Sequence, residues 1–110
     1  MLDFDALNAY LDNDRDVIFA VLSAYQEDHG NSLQEIEELV QQQDWGKLHF
    51  TVHTLKGILA SFGEDTATVA LEKIEQNTFN KMAPQKNDLS IIYSEMRIIN
   101  QQIADALSTY

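Results

Sequence analysis

The chain has 110 residues, of which 45% are hydrophobic and 23% charged, enough for one domain with one modest core. Its net charge of −11 argues against nucleic acid and anionic membrane surfaces as partners, because phosphates would be repelled. No cysteine is present, which removes disulfide frameworks and thiolate chemistry. Helical periodicity runs through almost the whole sequence, and alternating β-branched runs are absent. Asp3 to Leu11 reads as a short opening helix with Phe4, Leu7 and Leu11 on one side. Asn13 or Asp14 can cap a second helix whose apolar positions are Ile18, Leu22, Tyr25, Leu33, Ile36 and Val40, with Val17, Val21 and Leu39 beside them. Gly30 and Asn31 interrupt that stretch, so either a long helix crosses them at about 1 kcal/mol relative to Ala, or the chain bends there.

Asp44 caps a third helix that starts at Trp45, and Gly63 ends it as a left-handed cap. Asp65 or Thr66 begins a fourth helix with Ala67, Ala70, Leu71 and Ile74 inward. Asn77 to Asn87, which holds the only proline, reads as a loop. A last helix from about Asp88 to Leu107 has the seam Leu89, Ile92, Met96, Ile99, Ile103 and Leu107. The expected fold is all-α: an up-down four-helix bundle with a short additional N-terminal helix, as a single domain over 1–110.

The third helix carries the chemistry. At about 100° per residue, Leu48, Val52, Leu55, Leu59 and Phe62 fall within a sector roughly 80° wide, the buried stripe. His53 projects about 140° from its centre, toward water, with His49, Lys56 and Ala60 on its flank and Gly57 beyond. Phe50 projects about 160° away, an exposed aromatic beside the histidine and a candidate docking contact. An exposed imidazole is a nucleophile near neutral pH and accepts a phosphoryl group on a ring nitrogen. Lys56, three residues on, reaches the same patch. Gly57 costs helix stability in mid-helix but leaves room for a partner to approach. The chain has no glycine-rich nucleotide loop, so it could carry a phosphoryl group but shows no means of making one from ATP. His49 and His53 at i, i+4 could also share a metal ion, yet Phe50 stands where a zincin would have glutamate, and no metal site is expected.

The run His53-Thr54-Leu55-Lys56-Gly57, then Phe62-Gly63, then Ile74-Glu75 closely resembles the signature of histidine-containing phosphotransfer (HPt) domains. The resemblance is specific over about residues 44–75 and architectural elsewhere. It implies a four-helix bundle whose histidine relays phosphate between the aspartates of response-regulator receiver domains. It further implies that His53 is phosphorylated, that Lys56 supports the phosphate, and that Gly57 and Gly63 serve access and helix termination. Three positions depart from the pattern. Ile58 and Leu59 stand where small residues are common after the glycine, and Glu64 stands where the family often has Ala. Glu64 is expected to add negative charge near a docking partner, alongside contacts from His49, Phe50 and Ala60.

The expected function is therefore a phosphorelay carrier without autonomous kinase activity, with no cofactor of its own and Mg²⁺ on the partner. Its expected partners are receiver domains, with its own hybrid sensor kinase as one candidate if the chain is part of such a kinase rather than free-standing, and a monomer is expected. No secretory leader pattern and no apolar run of about 18 residues is evident, so a cytoplasmic location is expected, or the cytoplasmic portion of a membrane-bound kinase. Two rival readings are a helical interaction module that only keeps the shape, and a metal-binding bundle. The intact His53–Lys56 pair favours the carrier.

Overall fold

The computed structural model describes residues 1–109, which form six helices and, among the described residues, no strand. They are α1 (Phe4–Tyr10), α2 (Arg15–His29), α3 (Ser32–Gln42), α4 (Trp45–Ser61), α5 (Thr66–Phe79) and α6 (Lys86–Ser108). Three aspartates set the helix starts. The Asp3 carboxylate accepts from the Ala6 N–H, Asp14 from Asp16 and Val17, and Asp44 from Lys47. Each such cap contributes on the order of 1 kcal/mol.

The chain bends at Gly30 and Asn31 rather than running through as one long helix. Gly30 still closes the last turn of α2 through its N–H to the Gln26 carbonyl. A Cβ on Gly30 would stand 2.4 Å from that carbonyl oxygen, so the position is too tight for a side chain. The bend shifts the apolar seam of α3: Leu39 is buried and Val40 only half-buried, and on α2 Val17 faces water. The loop expected from Asn77 is also shorter, because α5 continues to Phe79 and α6 already starts at Lys86. Thr78 is buried and its hydroxyl donates to the Ile74 carbonyl at 2.8 Å, which fastens this last turn to the helix before it.

α4 packs against α3 and α5, α5 against α6, and α6 against α2 and α3. The result is an up-down four-helix bundle in which α2 and α3 together make one wall. Leu22, Ile36, Leu48, Val52, Leu55, Leu59, Leu71, Ile74, Ile92, Met96, Ile99 and Ile103 fill its centre. Each fully buried aliphatic side chain contributes about 1.5–3 kcal/mol relative to exposure. The helices confer length as well: at about 1.5 Å per residue, the 23 residues of α6 account for most of the 42 Å long axis. α1 folds over one end. Leu7 is buried, and Ala6 lies beside Gly63, its Cβ 3.9 Å from where a Gly63 Cβ would stand. The Leu2 N–H donates to Gln102 on α6 at 2.8 Å.

Candidate functional site

α4 presents its apolar stripe inward as its periodicity requires, with Leu48, Val52, Leu55 and Leu59 buried. The opposite face turns outward. The His53 side chain is 61% exposed and Phe50 72% exposed. Ala60 is also exposed, and a Cβ at Gly57 would meet nothing within 4 Å. The α4 face and the outward face of α5 enclose a groove of about 510 Å³ that contains His49, Phe50, His53, Lys56, Glu75 and Phe79.

Glu75 organises this groove. One carboxylate oxygen lies 2.6 Å from His53 Nδ1, and the other lies 2.5 Å from Lys56 Nζ. Burial alone would raise the Glu75 pKa, but the hydrogen bonds and charges of Lys56 and His53 outweigh it and hold the carboxyl below its ordinary value. An ionised carboxylate can only accept, so His53 Nδ1 must carry the proton. The lone pair then resides on Nε2, and the imidazole is a nucleophile at one defined nitrogen. Sequence reasoning placed Glu75 inside a motif but gave it no role. Its partners are 22 and 19 residues away in the chain, and only the packing of α5 on α4 brings the three together.

His49 is half-buried, and its Nδ1 lies 3.1 Å from the Glu75 carbonyl oxygen and 3.3 Å from the Thr78 hydroxyl. Its ring is nearly parallel to that of His53, with centroids 6.3 Å apart. Among the described residues no three His, Cys, Asp or Glu side chains are grouped to hold a metal ion.

Two expected positions behave differently from each other. Gly63 has φ of +75°, and the chain closes α4 there through Gly63 N–H to Ala60 O and Glu64 N–H to Leu59 O, the pairing that a left-handed cap demands. Glu64, expected to offer charge to a docking partner, is buried instead. Its carboxylate accepts from the Ala67 and Thr68 N–H groups, both at 2.9 Å, and lies 3.1 Å from the ammonium of Met1. Burial would push this carboxyl up, but those backbone hydrogen bonds and the ammonium hold it below its ordinary value. It therefore caps α5, the helix whose start the sequence places at Asp65 or Thr66. Asp65 makes no side-chain cap bond. The cause is the left-handed turn at Gly63, which swings the next side chain back over the first turn of α5.

The fold and the site define a helical-bundle module that presents a solvent-facing histidine, held by a carboxylate from the adjoining helix and flanked by a lysine on its own. The family model described as Hpt domain matches residues 20–109, and the chain belongs to that family, whose members are phosphotransfer carriers of two-component systems. The match takes in α3 to α6 and most of α2, and leaves α1 outside it. Comparison with curated proteins returned no match, and neither did comparison with solved structures. No described helix is long and apolar enough to cross a membrane.

Proposed function

We propose that this protein, as one domain over 1–110, carries a phosphoryl group on His53 Nε2, taking it from the aspartyl phosphate of one receiver domain and giving it to another. The observation that supports this most is the Glu75 contact at 2.6 Å, which leaves Nε2 as the free nitrogen of an exposed imidazole. The Nε2 lone pair attacks phosphorus. The N–P bond forms as the bond from phosphorus to the aspartate oxygen breaks, and the electron pair leaves with the carboxylate. Nδ1 keeps its proton throughout, and Glu75 offsets the positive charge that develops on the ring. The return step is the reverse of this one on a second receiver. Mg²⁺ on the receiver supplies most of the charge neutralisation that phosphoryl transfer needs. Lys56, half-buried beside Glu75, supports the phosphoryl oxygens from this chain's side. Gly57 keeps the approach to Nε2 open, and Phe50 and Ala60 are exposed docking contacts on the same helix. A cytoplasmic setting follows from the reading, because receiver domains and their kinases operate there.

The test is to mix the protein with a panel of phosphorylated receiver domains and look for acid-labile, base-stable label. His53→Gln should take no label while keeping helicity and melting temperature, because an exposed side chain contributes little to the core. His29→Gln and His49→Gln should both still be labelled. Label on His53→Gln at the wild-type level would show the assignment to be wrong.

A further inference from the structure

The charges of this chain are segregated. Residues 45–63 and 76–87 contain four lysines and no carboxylate, whereas the rest of the sequence carries all 18 acidic residues against Arg15, Lys73 and Arg97. In the fold these two segments meet. The first is α4 with its cap, and the second is the end of α5 with the turn into α6. Between them a second groove of about 390 Å³ runs on from the His53 groove, lined by Trp45, Gly46, His49, Thr78, Phe79 and Lys81. His49 and Phe79 line both grooves, and their rings sit 5.8 Å apart. Glu72 and Glu75 lie only at the histidine end, where Glu75 is already paired.

Large apolar side chains border the whole strip. Phe79 is 74% exposed, and Phe50 and Met82 also stand in water. Such exposure concentrated in one place marks a contact surface. We propose that the Trp45–Phe79 groove is a second docking point for the receiver partner, distinct from the phosphoryl site and continuous with it. Its occupant is an apolar side chain on a face of the receiver rimmed by carboxylates. The apolar part fills the groove beside Phe79, and the carboxylates face Lys81, which lines it. An acidic rim would be repelled by the remainder of this strongly acidic surface, so the charge pattern also fixes the direction from which the partner approaches. The proposal rests on the carrier reading for the identity of the partner. The groove, the exposed aromatics and the charge segregation are independent of it.

The test separates docking from chemistry. Purified receiver domains are titrated against wild type, Phe79→Ala and Lys81→Glu, and binding is measured directly. Labelling of His53 by phosphoramidate, a small donor that needs no docking, is measured in parallel. Phe79→Ala should weaken binding about tenfold or more, as loss of an aromatic anchor does. Lys81→Glu should weaken it as well and reduce its sensitivity to salt. The ratio of receiver-dependent to phosphoramidate-dependent labelling should fall in step. Binding by both variants within twofold of wild type overturns the proposal. So does a wild-type protein that phosphoramidate labels on His53 but that no receiver binds. If receivers bind through the groove while neither they nor phosphoramidate label His53, the docking point stands and the carrier reading falls.

Discussion

Glu75 on α5 holds His53 Nδ1 on α4 at 2.6 Å, and through its other oxygen it holds Lys56 at 2.5 Å. The carboxylate thereby selects the imidazole tautomer and places the Lys56 ammonium in the same groove. Glu75→Gln should abolish this selection, because an amide can either donate or accept. We expect ¹⁵N resonances of the His53 ring to report a single Nδ1–H tautomer in the wild type and a mixture in the variant. Phosphate acceptance should slow about tenfold, the scale of one hydrogen bond to a charged group. A variant with wild-type rate and an unchanged tautomer would mean that the contact has no part in the chemistry.

Lys56 is bound by Glu75 before any phosphate arrives, so its removal acts in two ways. Lys56→Ala loses a counter-charge for the phosphoryl oxygens and also frees Glu75 to swing. The expected result is a partial loss of transfer with His53 still the acceptor, because the metal on the receiver carries most of the neutralisation. Lys56→Arg should transfer faster than Lys56→Ala and slower than wild type, since its flat fork differs in shape from an ammonium. Single-turnover transfer on the three proteins tests the order.

At Gly57 nothing lies within 4 Å of where a Cβ would stand. Gly57→Ala should therefore raise stability by up to about 1 kcal/mol through helix propensity alone. Gly57→Gln should fold equally well yet slow transfer, because the side chain projects into the approach to His53. Urea melts paired with transfer rates decide the matter. A Gln variant that transfers at full speed removes the functional reason for this glycine.

Glu64 makes stability depend on acidity. Its folded-state pKa lies below the ordinary 4.5, so its contribution is fully present above that value. The contribution is lost as pH falls through the lower, folded-state pKa, when protonation removes acceptors for Ala67 and Thr68. Urea midpoints between pH 7 and pH 3 should fall less steeply in Glu64→Gln than in wild type. At neutral pH that variant should be less stable by about 1 kcal/mol, the usual cost of a weakened cap.

The legible parts of this protein are those governed by neighbours within one or two turns. Apolar spacing on α4 set which residues are buried and sent His53 to water, because rotation about a helix axis is fixed by geometry. Asp44 announced its helix, and Asp14 was one of the two caps open to the second, since a cap bonds to an N–H two or three residues on. Gly63 revealed the end of α4 through the same local logic. At Gly30 the sequence allows both a continuous helix and a bend, because the deciding conflict is with a carbonyl in a specific three-dimensional turn.

Tertiary structure alone decided the environments of Glu64, Glu75 and Phe79. Nothing in the spacing of Glu64 distinguishes a surface carboxylate from a buried cap; the turn at Gly63 and the docking of the N-terminal segment do. Phe79, expected in a loop, became a wall of the groove only when α5 ran one turn further against α4. Glu75 acquired its partners in the same way. Sequence determines helical faces because each face is set by the chain's own local repeat. Which faces meet depends on how several stripes are buried together, and that is a property of the whole bundle.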